Sequence, residues 1–152
     1  MSNAIAIILH LLAINIWIGG TFFSVIILPR AIASVAPAEQ HRILSRAFHL
    51  FFPVVWLAIV MLLGSGGWMV ANVFGGLSNI PLYVLVMMLM AMTMVAVFSW
   101  IYFVAYRHYR QTPSDVHDHQ RYLGVIRLLS KINMALGIGI VVVIGGRSYF
   151  LV

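Results

Sequence analysis

The chain has 152 residues, 63% of them hydrophobic and 8% charged, with nine Lys/Arg, three Asp/Glu, no cysteine and a formal charge of +6. Soluble domains are about half apolar and about a quarter charged, so this composition excludes a water-soluble protein and points to one bilayer domain. The missing cysteines exclude disulfides, thiolate metal sites and thiol redox chemistry. The basic residues flank apolar stretches instead of forming an aromatic-studded face, which excludes nucleic acid as a partner.

A helix needs about 20 apolar residues to cross about 30 Å of hydrocarbon, and on that scale the chain divides into four spans. The first runs from about Ala4 to Leu28 and is closed by Pro29-Arg30. It has no basic leader and no small-residue cleavage site, so it reads as a spanning helix and not as a signal peptide. The second runs from about Ala47 to Val70. Its helix is expected to start earlier, with Pro37 in the first turn and Glu39 near the N-terminus. Within it, Pro53 cannot donate to the His49 carbonyl, and a kink is expected there. The uncharged stretch Asn72–Asn79, with Gly75-Gly76, is a turn. The third span runs from about Pro81 to Tyr106 and the fourth from about Tyr122 to Tyr149. Gly19-Gly20, Gly64-x-Gly66-Gly67, Gly137-x-Gly139 and Gly145-Gly146 supply small-residue strips of the kind that lets bilayer helices approach closely. The expected fold is all-α, a single integral membrane four-helix bundle covering residues 1–152.

The charges give the orientation. Arg30 to Arg46 and Arg107 to Lys131 hold eight of the nine basic residues and all three acids, and the sixty residues between Arg46 and Arg107 carry none. Both basic connectors fall on one side of a four-span bundle, which the positive-inside rule makes cytoplasmic. Both termini are then extracytoplasmic.

Ionisable groups within a span are functional candidates because burying one costs a few kcal/mol or more. They are His10 in span one, His49 at the start of span two, His108 at the end of span three, and Arg127 and Lys131 in span four. Counting about 1.5 Å per residue, the level of His10 corresponds to Met61–Gly64, Met87–Met88 and Gly137–Ile140. A site from His10, Met61 and Met87 or Met88 would be soft and suited to Cu(I), or to a His/Met-ligated haem. A neutral histidine bonded to a neighbouring helix explains His10 as well. His49 lies about 20 Å or more away on the same arithmetic, so the two histidines cannot share one haem. His49, His108, Arg127 and Lys131, with Arg46, could form a cytoplasmic-side cluster for a haem propionate, a quinone head group or anionic lipid. Snorkelling to the interface explains the cations equally.

Met87, Met90 and Met94 form one helical stripe, and Met88 and Met92 another. They read either as a Cu(I) path or as flexible packing, and two stripes are not expected to face one pathway. Asp115-Val-His117-Asp118-His119 has metal-like spacing, although Thr112 as N-cap with Pro113 at the first helical position explains it more simply. No Ser/His/Asp triad, phosphate loop or carboxylate pair at membrane depth exists. Hydrolytic and NTP-driven chemistry therefore lack residues, and a non-enzyme is favoured.

Leu9-His10 through Asn15, Trp17, Gly19-Gly20 to Leu28-Pro29-Arg30 resembles the first signature of CopD-like (copper resistance D) integral membrane proteins. Phe51-Phe52-Pro53-Val-Val-Trp56 with Gly64-x-Gly66-x-Trp68-Met69, and Ile126-Arg127 with Asn133-x-x-Leu136-Gly137, are similar to signatures of the second and fourth helices in short members. The resemblance implies a multi-pass protein of the bacterial inner membrane concerned with copper. A more distant likeness to HemJ-type membrane proteins rests on the span-one histidine and the following Trp-x-Gly, and implies b-type haem. Relatives of both kinds tend to carry a second ligand-capable residue near the start of the third helix. Here Ile80-Pro81-Leu82-Tyr83-Val84 leaves a methionine or Tyr83 as the partner of His10. The candidate functions are copper handling, a haem- or quinone-linked redox role, and a non-catalytic subunit. Expected partners are the bilayer and a second copy or a larger membrane complex.

Overall fold

The computed structural model describes residues 2–111 and 116–146, and every regular element among them is helical. Helix α1 (Asn3–Phe22) starts at Ser2, whose hydroxyl accepts from the Ile5 amide. It continues through a π-helical turn, Phe23–Ile27, into α2 (Leu28–Ala31). Pro29 therefore does not close the span as the sequence suggests. The wider π turn just before it shifts the hydrogen-bond register, which lets a residue without an N–H sit inside a continuing helix.

Helix α3 (Pro37–Asn72) has Pro37 and Glu39 in its first turn and runs as helix through Pro53. Gln40 ties the preceding connector to it, its amide donating to the carbonyls of Ala33 and Val35. The return to α4 (Leu82–Trp100) passes through Gly75 and Gly76, at φ of +72° and +121°. Side chains rarely adopt that backbone, so glycine is required at the turn. A second π segment, Ile101–Tyr106, joins α4 to α5 (Arg107–Gln111), and α6 (Val116–Gly145) completes the bundle. Residues 147–149, which the sequence places in span four, lie outside the described residues.

Four helical runs, Asn3–Ala31, Pro37–Asn72, Leu82–Arg110 and Arg121–Gly145, are long and apolar enough to cross a bilayer. Their outward faces are apolar, with Leu50, Leu57 and Val60 on α3 and Leu128, Val141 and Val142 on α6 exposed. Lipid contact accounts for that exposure, because hydrocarbon does not penalise it. Outward polar side chains bond within their own helix. Asn15 donates to the Leu11 carbonyl, Asn72 to that of Trp68 and Thr93 to that of Leu89.

Neighbouring helices are antiparallel. His10 meets Ser65 and Gly20 meets Phe51 between α1 and α3, while Met94 meets Gly137 and Met90 meets Gly139 between α4 and α6. The end where α1 begins and the Gly75–Gly76 turn lies is the upper end. The opposite one, with Arg30, Arg46, Arg107 and Arg110, is the basic end. Of the expected glycine strips, only part is used for close approach. A β-carbon would collide with Phe51 at Gly20, lie 2.8 Å from Ile18 at Gly137 and 2.9 Å from Met90 at Gly139, but would meet nothing within 4 Å at Gly19, Gly64, Gly67 or Gly145.

The core is densest toward the basic end. Phe48 stacks on Phe52 at 5.4 Å, and Phe52 meets Tyr106 edge-on at 4.8 Å and Phe98 at 5.6 Å. Offset and edge-to-face pairs of this kind add about 0.5–1.5 kcal/mol each beyond the area they bury.

Candidate functional site: an apolar cavity walled by His10 and methionines

Between the upper halves of the four spans lies a cavity of about 730 Å³, bordered by His10, Trp17, Tyr83, Met87, Met88, Met92 and Met94. Small-molecule sites run to about 300–1,000 Å³ and are mostly apolar with a few placed polar groups, and this cavity has both properties. Gly66 and Gly137 also line it. At Gly66 the His10 ring comes close and at Gly137 Ile18 and Met94 do, so these glycines admit neighbours at the edge of the space.

His10 is fixed by α3. Its Nδ1 is 3.0 Å from the Ser65 hydroxyl, and Ser65 is only 2% exposed. That hydroxyl has one proton, which it shares with the carbonyls of Met61, at 2.6 Å, and Leu62, at 3.2 Å. At the His10 contact the oxygen therefore accepts and Nδ1 carries the hydrogen. The other ring nitrogen, Nε2, is left with a lone pair in the neutral ring, the form in which histidine ligates metals. The ring rests on Gly66, where an added β-carbon would come within 3.4 Å of Cε1.

Of the thioethers expected around His10, Met87 and Met88 border the cavity. Met61 is not among its lining residues. Its side chain packs against the core, and its contribution is the carbonyl that receives the Ser65 proton. Both methionine stripes border the space, Met87 and Met94 from one and Met88 and Met92 from the other. The expectation that only one could do so assumed a narrow channel, whereas this cavity is wide enough to be bordered by both stripes of α4. Equal-rise counting also misplaces α6. Gly137 packs on Ile18, eight residues further along α1 than His10.

The second candidate group lies at the basic end. His49 and Lys131 are exposed, His108 is exposed with its ring flat on Tyr122 at 5.2 Å, and Arg127 is half-buried with an Nε that has no hydrogen-bond partner within the described residues. Neither His49, His108, Arg127 nor Lys131 borders the cavity above or the smaller void below it. Asp115, from the Asp115–His119 run, lies outside the described residues, together with Thr112 and Pro113. Among the described residues no three His, Cys, Asp or Glu side chains converge as a metal site.

Two polar residues, Ser65 and Tyr109, escape sequence reading, and Asn133 enters it only as part of a family signature. Ser65 stands one residue beyond the depth window counted for His10. Asn133, 3% exposed, has an unpartnered Oδ1 and borders a void of about 10 Å³ with Thr21, Ser24 and Ser130, about the space of one water. Tyr109, 1% exposed, places its hydroxyl 2.8 Å from His41 Nδ1.

Four apolar spans around a shared interior define a multi-pass membrane protein of the four-helix class. The family model for copper resistance protein D matches residues 45–147, about two thirds of the chain, and the protein belongs to that CopD family. The match begins inside α3, so α1 and His10 lie outside it. No curated protein and no solved structure matches the chain, and no comparison supports the HemJ-type resemblance.

Proposed function

We propose that the protein handles copper in its membrane, taking Cu(I) at His10 Nε2 with thioethers of Met87 or Met88. The observation that carries this reading is the Ser65–His10 hydrogen bond, which holds the imidazole as the Nδ1–H tautomer on the wall of a methionine-bordered cavity. Soft thioether and imidazole donors in an apolar space favour Cu(I) over harder divalent ions. The family match agrees with a copper role, and because it excludes α1, the part given to His10 rests on geometry alone. In this reading the basic end faces the cytoplasm, both termini face outward, the membrane is the bacterial inner membrane, and the protein is not an enzyme.

The volume of the cavity favours a second reading, since about 730 Å³ is far more than one ion needs. A flat apolar ring ligand, haem b or a quinone, would use the same wall, with His10 as its polar contact. The exposed glycines outside the cavity wall, Gly19 and Gly64, suit helix contact with a second copy or a larger complex.

One detergent-purified sample tests the first two readings. Copper handling predicts bound Cu(I) after loading that is lost in His10→Ala and kept in His49→Ala. A metal-free wild-type protein overturns it, and a Soret band in the unloaded protein transfers the site to haem.

A further inference from the structure

Trp17, on the wall of the cavity, begins a line of rings that descends through the dense half of the bundle. Measured between centroids, Trp17 is 6.1 Å from Phe98, Phe98 is 6.4 Å from Tyr102, Tyr102 is 6.2 Å from Tyr106, and Tyr106 is 6.4 Å from Tyr109. Phe52 makes a parallel link, 5.6 Å from Phe98 and 4.8 Å from Tyr106. Along this line the oxidisable rings, one indole and three phenols, follow one another with at most a single phenyl between them, and a second indole, Trp56, joins from the side, 5.6 Å from Phe98 and 5.9 Å from Tyr102. The last phenol is buried, and its hydroxyl faces His41 Nδ1 at 2.8 Å, while Ser45 bonds the same oxygen.

Packing alone does not call for this chemistry. Phenylalanine would fill the same volume without bringing a hydroxyl into an apolar core, where it costs stability unless it is bonded. A phenol that loses an electron becomes a strong acid, so a buried tyrosine is oxidised readily only where a base takes its proton. Tyr109 has such a base in the His41 tautomer whose Nδ1 is unprotonated, at the end of the line nearer the aqueous surface, since the next residue after His41, Arg42, is exposed.

We propose that this line is a one-electron relay, carrying an oxidising equivalent from the cavity to Tyr109 with the phenol proton passing to His41. An oxidant of the hydroxyl-radical class in the cavity takes one electron from Trp17, becoming hydroxide and leaving the indole radical cation. Electron transfer through Tyr102 and Tyr106 refills Trp17 at the expense of Tyr109. The Tyr109 O–H bond breaks, its proton forms the His41 imidazolium, and a neutral phenoxyl radical remains. A one-electron reductant of the thiol or ascorbate class at the basic end returns the electron, and His41 returns the proton. The cavity is thereby cleared of a species that would attack its methionines. The relay does not depend on the copper reading, because any oxidant of that strength enters it at Trp17.

The chain has no cysteine, so Ser78→Cys, in the exposed turn beside the cavity-lining residues Gly76 and Leu77, gives a single attachment point for a ruthenium(II) tris-diimine. Flash-quench oxidation of the full chain in lipid nanodiscs, followed by transient absorption and electron paramagnetic resonance, reads where the hole settles. The relay predicts a tryptophan radical that decays into a tyrosyl radical, with most of the tyrosyl signal lost in Trp17→Phe and in Tyr109→Phe, both of which keep a ring in place. His41→Gln retains a hydrogen-bonding side chain but not a base, and it is expected to lose the tyrosyl signal as well. A tyrosyl yield unchanged in Tyr109→Phe, or a hole that remains on tryptophan in the parent protein, overturns the proposal.

Discussion

The upper and basic halves of the bundle are built from the same four spans and differ in what the helices present to one another. Above, Gly66 takes the His10 ring, Gly137 takes Ile18 and Met94, methionines border the remaining space, and about 730 Å³ stays open. Below, Phe48, Phe52, Phe98, Tyr106 and Tyr109 interlock, and the void lined by Asn133 is about 10 Å³. Lipid supplies no hydrophobic force to close a gap between helices, so contact between side chains decides where the bundle is tight. Stability is therefore concentrated in the aromatic half, and room for a ligand in the glycine–methionine half.

Replacing a ring in the lower half should have the largest effect. Phe52→Ala removes the ring that touches Phe48, Phe98 and Tyr106, and a loss of about 3–5 kcal/mol is expected from a well-packed site. Met88→Ala removes atoms that already border open space, and less than about 1 kcal/mol is expected on the same argument. Reversible unfolding in bicelles measures both, and equal losses would break the contrast between the halves.

Gly137→Leu acts at the boundary. Its side chain would meet Ile18 and Met94, and overpacking of this kind costs about 1–3 kcal/mol. The same substitution should reduce uptake of any ligand by the cavity.

Ser65→Ala should have a smaller effect on folding and a specific one on the site. His10 loses the Ser65 hydroxyl, at about 1 kcal/mol, and keeps its bond to the Leu62 backbone. With the ring held less firmly in the tautomer that leaves Nε2 available, the site should bind Cu(I) about 10-fold more weakly, the usual cost of losing an outer-shell contact to a ligating histidine. Isothermal competition with a Cu(I) chelator reads that change, and an unchanged affinity would remove Ser65 from the site. Smallest of all, Met92→Leu, at a residue 55% exposed, should stay within about 0.5 kcal/mol of the parent.

The spans were legible because hydrocarbon imposes a length and charge marks the ends. Pro37 and Gly75-Gly76 act through their own backbone, and local signals of this kind are readable. The π turns were not, since nothing in Phe23–Ile27 or Ile101–Tyr106 departs in composition from ordinary helix. His10 could be singled out from its cost of burial, but its partner could not. Ser65 is 55 residues away and Tyr109 is 68 residues from His41, and rise counting resolves depth without resolving which face a residue takes. Glycine spacing likewise marks both faces of a helix. Only packing separates Gly20 and Gly137, which are in contact, from Gly19 and Gly64, which are not.

X-ray absorption at the copper edge of the Cu(I)-loaded protein tests the division of labour most directly. If the upper cavity is the binding half, the spectrum should contain sulfur together with imidazole scattering. His10→Ala should remove the imidazole component, and His49→Ala should leave both. A spectrum unchanged by His10→Ala, or one lost on changing His49, would place the ligand at the basic end and contradict the account.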